Sequence, residues 1–134
     1  MFKEILEHNP AMSVAQQQAN AKATFSKLVI GSGCLKLYEA TVELDCNSVT
    51  IGLATYSVKD MELLDEICSA KKSFSDKNLY VYDVAQAEGV GDLNKVFPDV
   101  GSVFQTPILS TFDKKNKSIW GFDAQSKLKE MMQL

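Results

Sequence analysis

Side chains able to do chemistry are few in this 134-residue chain, and they are poorly placed for one another. Its thiols are Cys34, Cys46 and Cys68, and His8 is the single imidazole. Three widely spaced thiols make neither an even disulfide framework nor the paired ligand spacing of a zinc site. Cys34 and Cys46 bracket one expected strand. At roughly 3.3 Å per residue they would stand more than about 30 Å apart, whereas a disulfide needs Cα atoms within about 7 Å. Cys68 falls on the apolar stripe of an expected helix and reads as a small core residue. With one histidine and no clustered thiols, no metal or other cofactor is expected. Ser57 opens a helix with no histidine beside it to activate the hydroxyl, so it reads as an N-cap and not as a nucleophile. Gly31-Ser32-Gly33 has the composition of a phosphate loop but precedes a strand instead of a helix, which removes the cradle of helix amides.

The totals narrow the function classes. All fourteen basic residues are lysine and the net charge is −3. A chain without arginine lacks the side chain best suited to bidentate phosphate and base-edge recognition. Nothing in the charge therefore calls for nucleic acid or an anionic membrane surface. Apolar residues make up 46% and charged residues 23%, the balance of a soluble globular domain. No apolar run reaches membrane-spanning length, and the start of the chain is an interrupted amphipathic pattern, not a leader. The expected location is cytoplasmic.

The elements that would position these residues follow from periodicity. Asn9-Pro10 reads as a helix start, and Ala11, Val14, Ala21, Phe25 and Leu28 recur at helical spacing to about Val29. Gln16-Gln17-Gln18 lies on its solvated face, and Gly31-Ser32-Gly33 closes it. Leu35 to Leu44 alternates as a strand, with a turn at Asp45-Cys46-Asn47 and a continuously apolar, central strand from Val49 to Tyr56. The short turn predicts an antiparallel hairpin between these two. Ser57-Val58-Lys59-Asp60 fits a capping-box-like helix start with Asp in place of Glu. Val58, Met61, Leu64, Ile67 and Cys68 then form the buried stripe of a helix to Lys71-Lys72. A strand from Leu79 to Val84 follows, implying a right-handed parallel crossover from the Val49 strand. Asp92 caps a short helix stopped by Pro98. Ile108 to Phe112 and Ser118 to Phe122 form a hairpin, and Asp123 caps a last helix with Ala124, Leu128 and Met131 on one face. The sum is an α/β domain over residues 1–134: an N-terminal helical extension (1–33), then a mixed sheet with helices on both faces (34–134).

This order, with Thr106-Pro107 opening the first strand of the last hairpin and Gly121 in the second, resembles the thioredoxin superfamily from about Val49 to the C-terminus. The resemblance implies a thioredoxin-like mixed sheet, here carrying an N-terminal helix and β-hairpin extension. It implies a cis peptide bond before Pro107 and a groove in which a partner's backbone pairs at Thr106. The family's Cys-x-x-Cys motif would begin at Tyr56-Ser57-Val58-Lys59, where this chain has no thiol. A helix N-terminus activates a cysteine there, and serine leaves the dithiol chemistry without its nucleophile.

Three functions follow. The first is a thioredoxin-like module without dithiol redox activity that binds a protein or peptide in the groove of Tyr56, Ser57, Thr106 and Pro107. The second is a thiol enzyme, a peroxidase or glutathione-dependent transferase, using Cys34 alone. If the first hairpin folds about Asp45 to Asn47, position 34 falls opposite positions 57 to 58. The third is an assembly role in which the N-terminal helix carries self-association or partner capture.

Overall fold

The computed structural model describes residues 13–33, 35–38, 47–55, 57–70, 77–84, 90–97, 105–111 and 118–132. Helix α1 spans Val14–Ser32, strand β1 Lys36–Leu37, β2 Ser48–Leu53, α2 Val58–Ser69 and β3 Asn78–Asp83. Helix α3 (Val90–Val96), strands β4 (Ile108–Thr111) and β5 (Ser118–Trp120), and helix α4 (Phe122–Met132) complete the order. Cys34, Cys46 and Tyr56 lie outside the described residues, as does Asn9-Pro10.

The start of α1 is set by Ser13. Its Oγ accepts from the amide of Gln16 at 3.2 Å, and the Gln16 side chain accepts from the Ser13 amide at 2.9 Å. Two orphan donors of the first turn are thereby satisfied in a reciprocal box, and Gln16 belongs to the cap and not merely to a solvated face. Gly33 ends the helix with a φ of 72°, a left-handed conformation that glycine adopts without a Cβ clash. Phe25 and Val29 are the buried anchors of α1.

Five strands form one mixed sheet in the order β1-β3-β2-β4-β5. β1 and β2 both run parallel to β3, while β4 is antiparallel to β2 and β5 to β4. The expected hairpin between the first two strands is not formed. β1 pairs with β3 through Lys36↔Tyr80 and Leu37↔Val81, so β3 stands between it and β2. A strand has two hydrogen-bonding edges. Those of β2 are taken by β3, through the crossover helix α2, and by β4. No edge of β2 remains for β1, which pairs on the far side of β3.

Every residue of β2 is buried, because both faces of the sheet are covered. Side chains alternate across a strand, and Val49, Ile51 and Leu53 enter one cluster with Phe25 and Val29 of α1, Met61, Leu64 and Ile67 of α2, and Ala124 and Leu128 of α4. Fully burying a side chain of this size contributes about 1.5–3 kcal/mol. The opposite face holds a smaller cluster: Leu93 and Val96 of α3, Phe97 after it, and Ile108 of β4, edged by Tyr38 and Tyr82. There Gly52 is required by its neighbour. A Cβ at this position would lie 2.7 Å from the Phe97 ring and 3.3 Å from Ile108. Phe97 in turn meets Tyr82 edge-on at 6.2 Å, and Tyr82 meets Tyr38 at 6.1 Å.

Cys68 is disulfide-bonded. This corrects the reading of Cys68 as a simple core thiol and of the three cysteines as unsuited to cross-linking. That argument compared only Cys34 with Cys46, whereas the last turn of α2 returns to the end of the sheet where β2 and β3 begin. The partner cysteine lies outside the described residues.

Candidate functional site

At its C-terminal end β2 stops because its backbone is captured by the helix that follows. The amide of Ala54 donates to Asp60 Oδ2 at 2.9 Å, and the carbonyl of Ala54 accepts from the amide of Ser57 at 2.9 Å. Ser57 is the N-cap of α2 as expected, its Oγ accepting from the Asp60 amide at 3.4 Å. The second half of the expected capping box is not made. Ser57 has already committed its N–H to Ala54, and Asp60, with one methylene fewer than the Glu usual at this position, sends its carboxylate to Ala54 instead.

Asp60 is buried, at 2% exposure, and it also accepts a hydrogen bond from the side chain of Thr106. Burial is the largest influence on its carboxyl and raises it above the ordinary Asp range, against the Ala54 and Thr106 hydrogen bonds, which lower it. Asp60 thus joins the end of β2, the first turn of α2 and the segment that opens β4. It was overlooked as a site residue because its place in the sequence, three residues after a serine cap, has a routine structural explanation.

Thr106 and Pro107 sit where that segment enters the sheet. Pro107 is buried and Thr106 half-buried, and the peptide bond between them is cis. Pro107 is secured through its carbonyl, which accepts from the amide of Gly121 at 2.9 Å. Gly121 has a φ of 66°, and Gln105 Oε1 lies 2.9 Å from where a Cβ would be. The positive φ therefore requires glycine here, while the exposed Gln105 side chain can swing aside. No main-chain hydrogen bond joins Thr106 to another described residue.

The structure brings Ser57, Thr106 and Pro107 to one end of the sheet, with Asp60 added. Tyr56 is outside the described residues and is not placed. Cys34 is not placed either, but the reason for setting it opposite positions 57 to 58 is gone. That register required the β1–β2 hairpin. In the parallel arrangement Lys36 is level with Tyr80 and, through it, with Thr50, early in β2 and away from the end that leads to Ser57.

The surroundings are apolar at the surface and acidic beneath. Val58 is 50% exposed at the start of α2, and Trp120 and Phe122, on either side of Gly121, are 41% and 78% exposed. Trp120 pairs in register with Ile108, next to Pro107. At the end of β3, buried Asp83 accepts from Thr55 Oγ1 at 3.3 Å. Tyr82 has its phenol pushed up, first by burial and then by Asp92, Asp83 and Tyr38. Among the described residues no group of three His, Cys, Asp or Glu side chains could hold a metal ion. No helix among them is long and apolar enough to cross a membrane.

No protein-family model, curated protein or solved structure matches the chain.

Proposed function

We propose that this protein is a thioredoxin-like domain without dithiol redox activity, and that it binds an extended protein or peptide segment in the groove of Ser57, Thr106 and Pro107. The observation that carries the reading is the main chain of Thr106. It is half-buried, makes no hydrogen bond to another described residue, and sits between a helix start and a buried proline. Such a segment can accept one more strand, whose amides and carbonyls supply affinity while its side chains supply specificity. Exposed Val58 and Trp120 favour a partner that presents apolar side chains.

The thioredoxin-like fold is supported by the strand order β1-β3-β2-β4-β5, with three parallel strands and a terminal antiparallel hairpin. A helix on the end of central β2, opposite the proline that opens β4, supports it further. The absence of redox chemistry is supported by what stands at the start of α2. Ser57 is engaged as a cap, and Asp60 carries a carboxylate where a second thiol would follow. The enzyme reading through Cys34 has lost the register it depended on. A disulfide at Cys68 favours an oxidising compartment over the cytoplasm that composition alone led us to expect.

Panning a displayed library of random peptides against the protein tests the reading. The expected result is a set of binders whose addition shifts the amide resonances of Ser57, Thr106 and Ile108. Binders that shift only residues of another surface, or no binders at all, would overturn it.

A further inference from the structure

We infer that Asp60 is a positioning residue of this groove: through Ala54 and Thr106 its carboxylate holds the segment ahead of Pro107 against the start of α2, and so presents the Thr106 main chain to a peptide. The inference rests on the groove reading above and adds a residue to it that neither touches the peptide nor occupies its surface.

Asp60 makes three connections, two of them fixed by distance. Its own backbone amide donates to the cap Ser57 at 3.4 Å, its Oδ2 takes the Ala54 amide at 2.9 Å, and its carboxyl takes the Thr106 hydroxyl. Thr106 is therefore tethered by its side chain while its backbone bonds to no other described residue. A threonine held that way cannot turn its main chain aside, which lowers the ordering cost of a strand added there.

The charges around Asp60 do not offer another role. Among the described residues it meets the backbone of Ala54 at the end of β2 and the hydroxyl of Thr106 ahead of β4. At the end of neighbouring β3, Asp83 is engaged with Thr55. Lys59 and Glu62 on α2, and Asp123 and Lys127 on α4, are exposed. No salt bridge among the described residues includes Asp60.

The Asp60 carboxyl also carries a pH dependence. Burial raises its carboxyl above the ordinary Asp range despite both hydrogen bonds. A carboxyl raised in the folded state binds its proton more tightly there than in the unfolded chain. Its contribution is therefore most favourable at low pH and diminishes as pH rises through the window above the ordinary Asp value.

The test uses Thr106→Val, which removes the hydroxyl donor and keeps the shape, alongside Thr106→Ser, which keeps the donor. The probe is a peptide selected on the wild-type protein and shown to shift Thr106. The expected result is that Val weakens the peptide about tenfold or more, the scale of losing a hydrogen bond to a charged group, while Ser restores binding. In the free Val variant the Asp60 carboxyl, followed by its carbon resonance, titrates at higher pH than in wild type, because a bond that favours the charged form is gone. A threonine that made no bond to Asp60 would leave that titration in place, so the shift checks the tether and the peptide affinity checks its role. Peptide affinity within about twofold of wild type in the Val variant, with the peptide still on the groove, overturns the inference and leaves the groove reading intact. A peptide that never contacts Thr106 overturns the groove reading itself.

Discussion

Replacing Gly52 by alanine tests how tightly the smaller core cluster around Phe97 is packed. The added Cβ would lie 2.7 Å from both Cε2 and Cζ of Phe97 and 3.3 Å from Cβ of Ile108, so either the ring or β4 must move. The ring has little room. Phe97 and Ile108 are both 0% exposed, Leu93 and Val96 share their cluster, and Tyr82 bounds the ring at 6.2 Å. Overpacking of this kind costs about 1–3 kcal/mol. For a chain of this length each kcal/mol lowers the melting temperature by about 3–5 °C, giving an expected fall of about 3–15 °C by calorimetry. Phe97→Leu withdraws the ring edge that the new methyl meets. The double variant should therefore lose less stability than the sum of the two single changes. Gly52 also faces Ile108 across the β2–β4 ladder, so the single variant should shift the Ile108 amide resonance. A Gly52→Ala protein that melts within about 1 °C of wild type, or a strictly additive double variant, would refute this account of the packing.

Two further outcomes follow from buried groups. The Ser118 hydroxyl is buried without a hydrogen-bond partner among the described residues, so Ser118→Ala should raise stability by about 1 kcal/mol, read by urea denaturation; a loss of that size would contradict it. In denaturant without reductant, the disulfide at Cys68 leaves iodoacetamide one thiol of the three, and mass spectrometry that finds three alkylated cysteines would refute the cross-link. The same digest identifies the cysteine joined to Cys68, and so whether Cys34 is free.

Much of the scaffold was legible because local chemistry and tertiary need agreed. The continuously apolar strand beginning near Val49 had to be central, the stripe of Met61, Leu64 and Ile67 had to pack on it, and Ser57 had to cap the helix between strands. What was not legible depended on competition between distant segments. The turn signal at Asp45-Cys46-Asn47 argued for a hairpin, but β3 and β4 occupy both edges of β2 and β1 is left with β3. Asn9-Pro10 looked like the start of the first helix, yet the described helix begins at the reciprocal box of Ser13 and Gln16. Thr106 and Pro107 were singled out from their order in the chain. The carboxylate beneath them was not, since nothing in Ser57-Val58-Lys59-Asp60 says that Asp60 will reach back to Ala54 and across to Thr106 instead of completing its own cap. Pairing at Cys68 was hidden for a similar reason: it depends on where α2 ends in space, which spacing along the chain does not give.

The claim at the centre of this account is that the Thr106 main chain, which bonds to no other described residue, becomes paired when an extended segment binds. Hydrogen exchange at the Thr106 amide, measured with and without a saturating selected peptide, tests it most directly. The account predicts rapid exchange in the free protein and strong protection in the complex. An amide already protected in the free protein, or one whose exchange the bound peptide leaves unchanged, would contradict it.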